Sequence, residues 1–284
     1  CAGGDIVSIY NEGKVGQIEN TRRFWRDEYR LNHAISTYSK PYVAIMDGIV
    51  MGGGVGISAH GSHRVVTERT TFAMPECAIG LLPDVGGTYL LGQMPGASGE
   101  YAGLTGARLT GADCIYAGLA DYLVPSDKLD NLKEALQKTG DIAALREFKI
   151  EPEASSLETN RATIDTIFAQ DTVEDISQSL QDDPSNFAQT ALKGLSHGAP
   201  LLLKTTLASL RAARVHGSLE IALRNEYRIV SMALKDGELI EGIRAAVIDK
   251  DRSPKWKYPT LVTVPQKLVD RLYHPAEDGD FAVE

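Results

Sequence analysis

Between residues 24 and 38 the apolar side chains Phe24, Trp25, Leu31, Ala34 and Ile35 recur among charged neighbours, the spacing of one buried helix face. Pro41 ends that pattern and a different one begins. Tyr42, Val43, Ala44, Ile45 and Met46 run without interruption, as a strand covered on both faces does. Three glycines at 52–54 follow, and the small residues 55–59 predict the opening of a helix. Short strands are predicted at 64–67, 71–74 and 120–124, and short helical pieces at 89–94 and 100–104.

The pattern changes after residue 125. Leu129, Leu132, Ala135 and Leu136 predict a helix over 127–138, with Ser126 as its N-cap. Residues 150–162 are polar and acidic and read as a linker or insertion. Leu219, Ala222, Leu223, Tyr227, Val230 and Leu234 share one face of a helix closed by Gly237, and a second helix is predicted over 238–249. No internal repeat is evident. The expected division is an α/β core over 1–125, then a helical insertion and a C-terminal helical region over 126–284.

Composition narrows the classes. A hydrophobic content of 43% and a charged content of 24% are those of a globular protein, and 284 residues can bury one sizeable core. The net charge is -9 with no basic patch, which argues against nucleic acid as a partner. No apolar run reaches the length of a membrane span, so no membrane partner is expected. Cys1, Cys77 and Cys114 form no CxxC pair, and the histidines show no HExxH spacing; neither a disulfide framework nor a metal site is expected. The chain opens directly on a tight glycine motif, Cys-Ala-Gly-Gly-Asp, and reads as a fragment or a processed product.

The glycine triplet carries the chemistry. Glycine in a regular element costs roughly 0.5–1 kcal/mol relative to alanine, and is useful where a backbone N–H must touch something with no Cβ in the way. A strand that ends in glycines and opens a helix presents free N–H groups to an anion or a developing oxyanion. That points to acyl chemistry at a carbonyl, with Glu76 and Asp84 as acid/base groups in a proline-rich loop. Other readings stay open. Residues 54–59 match GxGxxA, a dinucleotide fingerprint, but no series of βαβ units follows. A nucleophile elbow at Ser58 fails, because His60 stands where glycine is required. The triplet also suits a plain packing turn. Asp84 suits an N-cap for a helix near Thr88, Glu76 a surface carboxylate, Cys77 an inert buried thiol, and Glu28 a solvated helix face.

Several blocks occur in order: Cys-Ala-Gly-Gly-Asp at 1–5, Lys-Pro-Tyr-Val-Ala at 40–44, Met-Gly-Gly-Gly-Val-Gly at 51–56, Phe-Ala-Met-Pro-Glu through Pro-Asp-Val-Gly-Gly at 72–87, and Ile-Asp-Lys-Asp-Arg-Ser-Pro-Lys-Trp-Lys at 248–257. Together they resemble the crotonase (enoyl-CoA hydratase/isomerase) superfamily over nearly the whole chain. The resemblance implies an α/β fold, a crotonase-like spiral of ββα turns with an α-helical C-terminal region. It implies a coenzyme A thioester as substrate, with no metal and no separate cofactor, and homo-oligomers that are often trimers. It assigns the backbone N–H groups of Gly4 and Gly53 to an oxyanion hole. Hydratases of the superfamily carry a second glutamate two residues after the triplet, where this chain has Gly56, and usually glycine where it has Asp84. The combination of Gly56, Glu76 and Asp84 resembles the branch that hydrolyses 3-hydroxyisobutyryl-CoA. In that branch Glu76 is general base or nucleophile and Asp84 positions water or the substrate hydroxyl. By the same resemblance Glu28 contacts substrate, and Lys250 the phosphates or adenine of coenzyme A. Eukaryotic members commonly act in valine breakdown in mitochondria. The implied location is the mitochondrial matrix for a eukaryotic chain and the cytoplasm otherwise.

Overall fold

A computed structural model describes residues 1–276 and 279–283, so Glu277, Asp278 and Glu284 of the predicted helical region lie outside the described set. Strands β1 (Val43–Met46) and β2 (Ile49–Met51) are followed by a one-turn helix, α3 (Gly53–Gly56), the third in the chain. Strands β3 (His63–Val66) and β4 (Thr71–Ala73) repeat the motion one layer on. β1 pairs with β3 in parallel, Val43 opposite His63, and β2 with β4, Ile49 opposite Thr71. β5 (Tyr122–Leu123) extends the first sheet, giving the orders β1-β3-β5 and β2-β4. Each turn therefore lays one strand in each sheet before a helix, the stacked ββα arrangement of an α/β spiral.

Two helices precede the strands. α1 (Ile6–Lys14) starts at Asp5, whose carboxylate accepts from the N–H groups of Val7 and Ser8. α2 (Glu19–Ser36) begins five residues before the apolar spacing at Phe24 announced it, because its first turn is polar and exposed. After β4 come α4 (Gly87–Gly92), α5 (Ser98–Thr105), α6 (Gly111–Tyr116), α7 (Leu129–Thr139) and α8 (Ala144–Phe148). Next are α9 (Ser156–Thr159), α10 (Arg161–Phe168), α11 (Val173–Asp182), α12 (Asn186–Ser196) and α13 (Pro200–His216). The last are α14 (Leu219–Asp236), α15 (Glu238–Ile243), which continues into a π-turn at Arg244–Ile248, and α16 (Gln266–Val269).

Two local expectations are corrected. Ser126 does not cap α7; a 3-10 turn intervenes, and its N–H and hydroxyl both donate to Glu68. The stretch 150–162 is an anchored segment, not a loose linker. Its serines are polar because Ser155 caps α9, and Ser155, Ser156 and the Leu157 N–H all donate to buried Asp113.

The main core runs from Ile9 to Phe281, with α13 and α14 as its buried spine. A smaller apolar cluster, Val65, Val124, Leu129, Leu132 and Leu145, fixes α7 and α8 to β3 and β5. Among the described residues no helix is long and apolar enough to cross a membrane.

Candidate active site

The site begins with two glycine segments brought side by side. The Met51 N–H donates to the Cys1 carbonyl at 3.0 Å, and the Cys1 amino group to the Ile49 carbonyl at 2.7 Å. That pairing lays Gly3, at φ +103°, against the triplet: a Cβ built on Gly3 would stand 3.3 Å from the Gly53 nitrogen. Gly52, at φ +53°, turns the chain from β2 into α3 in a conformation that L side chains rarely adopt. Among the described residues neither the Gly4 nor the Gly53 N–H has a hydrogen-bond acceptor. A Cβ on Gly53 would lie 3.7 Å from the Gly4 nitrogen and 2.7 Å from Glu28 Oε1, so this corner holds two free donors and an acid.

The other glycines serve packing. A Cβ on Gly54 would collide with the Cys1 carbonyl oxygen at 2.2 Å. One on Gly56 would stand 2.6 Å from Asn32 Nδ2 and 2.8 Å from Val85 Cβ, so position 56 has no room for a side chain.

Three buried acids, Glu76, Asp84 and Glu226, and the half-buried Glu28 surround this corner. Glu76 opens a 3-10 turn and is 5% exposed, with its Oε1 3.5 Å from a Cβ built on Gly52. Its Oε2 is buried without a partner. Burial, then the charges of Asp84 and Glu226, hold its pKa well above the ordinary carboxylate range. Asp84 is equally buried and accepts from the Tyr29 hydroxyl at 2.9 Å. Burial pushes Asp84 up to about 6, with the Tyr29 hydrogen bond opposing the shift. Glu28 is pushed up to about 8 by burial and by the Asp84 charge. Burial and the neighbouring acids push the Tyr29 phenol up as well, so it stays a donor.

Helix α2 thus supplies Glu28, Tyr29 and Asn32 from one face. Sequence reasoning placed Glu28 only by resemblance and missed the other two. A signal existed: Trp25, Tyr29 and Asn32 follow the i, i+4, i+7 stripe, and an amide on a buried stripe is out of place. Asn32 is fully buried with neither amide atom hydrogen-bonded.

Asp84 is not the cap of α4. Gly86 is the N-cap, and the capping acid is Glu226 of α14. Its carboxylate accepts from the Gly86 N–H at 2.7 Å, the Thr88 N–H at 2.9 Å and the Thr88 hydroxyl at 2.5 Å. Glu226 is fully buried and burial pushes it up to about 8. It too was missed, although an acid stands out on the apolar stripe of Leu223, Tyr227 and Val230.

The remaining groups read as structural. Burial pushes the Cys77 thiol up to about 12, and its sulfur lies 3.3 Å from Thr206 Oγ1. Ser58 donates to the Gly54 carbonyl within its own turn. Lys250 is exposed at φ +57°, after the π-turn, and no described contact joins it to the acids. Among the described residues no group of three or more His, Cys, Asp or Glu side chains is arranged to hold a metal.

A spiral of ββα turns with paired glycine N–H groups at one corner defines a class. The chain belongs to the enoyl-CoA hydratase/isomerase family, whose profile matches residues 1–273. It is similar to the mitochondrial 3-hydroxyisobutyryl-CoA hydrolase of Gallus gallus, 43% identical over 99% of this chain and 75% of that one. Among solved structures it superposes on a carnitinyl-CoA dehydratase from Mycobacterium thermoresistibile with a TM-score of 0.94, at 47% identity over 100% of this chain and 82% of the other. An enoyl-CoA hydratase from Rhodobacter sphaeroides 2.4.1 gives the same TM-score at 41% identity, over 99% and 82%.

Proposed function

We propose that this chain hydrolyses the thioester of 3-hydroxyisobutyryl-CoA, giving 3-hydroxyisobutyrate and free coenzyme A. The observation that carries the reading is the corner where the free N–H groups of Gly4 and Gly53 adjoin buried Glu76. The thioester oxygen sits on those two donors, which stabilise the charge as the carbonyl becomes tetrahedral. Glu76 either takes a proton from the attacking water or attacks the carbonyl itself to form an anhydride, which water then opens. Asp84, held by Tyr29, orients the water or the substrate hydroxyl, and Glu28 contacts the acyl group. Lys250 meets the coenzyme A phosphates or adenine. Coenzyme A enters as part of the substrate, with no separate cofactor. The chain acts in the mitochondrial matrix if it is eukaryotic and in the cytoplasm otherwise.

The solved relatives bear hydratase and dehydratase names, so water addition to a double bond is the second reading. Gly56 weighs against it. A second acid at that position has no space beside Asn32 and Val85.

The test is free-thiol release from 3-hydroxyisobutyryl-CoA by the parent, Glu76→Gln and Asp84→Asn, beside loss of absorbance from crotonyl-CoA. Release that collapses in Glu76→Gln supports hydrolysis. A folded parent active only on crotonyl-CoA refutes it. A single turnover in H2-18O separates the two roles of Glu76: an anhydride opened at the Glu76 carbonyl leaves the label in the enzyme, whereas direct attack by water puts it in the product acid.

A further inference from the structure

The turn that carries Asp84 is held against its own preference. Val85 adopts φ +53°, in the left-handed region that a β-branched residue avoids, and Gly86 follows at φ +79°. The Gly87 N–H closes the turn onto the Asp84 carbonyl at 2.6 Å. Two side chains grip it from opposite sides. His60 Nε2 donates to the Val85 carbonyl at 2.7 Å, and its imidazole is kept neutral by burial. Glu226 accepts from the Gly86 and Thr88 N–H groups.

We propose that Glu226 is a positioning residue for Asp84, acting through the Val85–Gly86 turn. Its two carboxyl oxygens accept from the Gly86 N–H on one side and from the Thr88 N–H and hydroxyl on the other. A glutamine would present an N–H to one of those donors and release part of the turn. Asp84 is faced by Tyr29 and Glu28 from α2, by Glu76 from the 3-10 turn, by His60 from the loop after α3, and by Glu226 from α14. Glu226 is the one of these acids that grips the backbone of the turn itself.

This inference rests on the hydrolase reading, and its test keeps the two apart. Thiol release is measured against pH for the parent, Glu226→Gln and Thr88→Val, with the Asp84 carboxyl titrated by NMR in each. The expected result for Glu226→Gln is a fall in kcat of at least about tenfold with KM little changed, as displaced catalytic groups give. Asp84 also titrates at higher pH, because the released turn loosens the Tyr29 hydrogen bond that opposes its upward shift. Thr88→Val, which removes one donor from Glu226 and nothing from Asp84, gives smaller effects of the same kind and decides the matter if Glu226→Gln does not fold. Loss of kcat without a shift marks a merely structural role and overturns the proposal, as does a shift without loss. If the parent releases no thiol, the hydrolase reading has failed, and an unmoved Asp84 titration alone overturns the inference.

Discussion

Gly53→Ala separates the oxyanion reading from a packing role within one turn of helix. Gly53 lies outside the left-handed region, so alanine fits its backbone. Replacing a helical glycine by alanine contributes up to about 1 kcal/mol of stability. The added methyl, however, stands 2.7 Å from Glu28 Oε1, 3.5 Å from Gly3 Cα and 3.7 Å from the Gly4 nitrogen. Glu28 is the far end of a flexible side chain and can move; the methyl remains in the corner where the thioester oxygen must sit. Alanine keeps the backbone N–H, so the methyl acts by pushing the oxyanion off its donors, and losing the use of one donor costs about 100- to 1000-fold in rate, or about 2.7–4 kcal/mol at the transition state. The expected variant is as stable as the parent and at least 100-fold slower. Gly56→Ala, three residues on, behaves the other way. Its Cβ meets Val85 Cβ at 2.8 Å and Asn32 Nδ2 at 2.6 Å, an overpacked contact costing about 1–3 kcal/mol. Thiol release and thermal melting of both variants make the comparison. A folded Gly53→Ala enzyme that keeps a third or more of the parental rate would refute the oxyanion assignment.

The buried acids give a stability trend with a definite sign. Glu28 and Glu226 are raised from 4.5 to about 8 and Asp84 from 3.8 to about 6, so the folded state holds protons that the unfolded chain releases. Their favourable contribution is complete below about pH 4 and is lost as pH rises towards about 8, with a slope of at most about 1.4 kcal/mol per pH unit for each group. Melting temperatures from pH 4.5 to 8.5 should fall and Glu28→Gln should flatten the curve; a flat parental curve contradicts the buried-acid picture. Glu76→Gln, which neutralises a carboxylate with one unpartnered oxygen, should raise the melting temperature at pH 8 by about 2–4 °C, the shift that about 1 kcal/mol gives at roughly this size, while activity falls. A drop in both would mean that the charge is compensated. Arg214→Ala strands Glu100, 1% exposed and held at 2.7 and 2.8 Å, but Arg214 is partly exposed and water can replace it, so stability should fall by about 1–3 kcal/mol in urea titration; a loss below about 0.5 kcal/mol would show the pair to be dispensable.

What the sequence disclosed follows from where the physical cause lies. The glycine triplet was legible because its cause is local: a strand end, free N–H groups and a helix start lie within a few residues. The shared loop of Glu76 and Asp84 was legible because prolines and glycines mark it, while their roles belong to the proposed function. The same local reading left Asp84 open as a helix cap. The group that fills that role, Glu226, lies 140 residues from Gly86, and nothing in either stretch names the other. Tyr29 and Asn32 left a trace on the buried stripe of α2 but no hint of what they meet, and His60 left neither. Their partners, Asp84, Gly56 and Val85, meet them only after α2 and α3 have packed. Ser126 failed as a cap through competition, since Glu68 on the neighbouring loop offers both its oxygens.

The acids and the glycine corner constrain one another. An oxyanion forming beside ionised carboxylates is repelled by each of them, and Gly4 and Gly53 supply only two partial charges in return. On the proposed reading the corner needs most of these acids to carry protons, and burial favours that state. Asp84, at about 6, ionises before Glu28 and Glu226, at about 8, and Tyr29 stabilises the anion that results. Glu76, held higher by burial and by Asp84, must release its proton before it can act as base or nucleophile. The Asp84 charge is one of the causes that hold Glu76 high, so the titration belongs to the pair and not to either residue. On the proposed reading, whatever fixes the position of Asp84, including a glutamate on the far side of its turn, bears on how readily Glu76 gives up its proton.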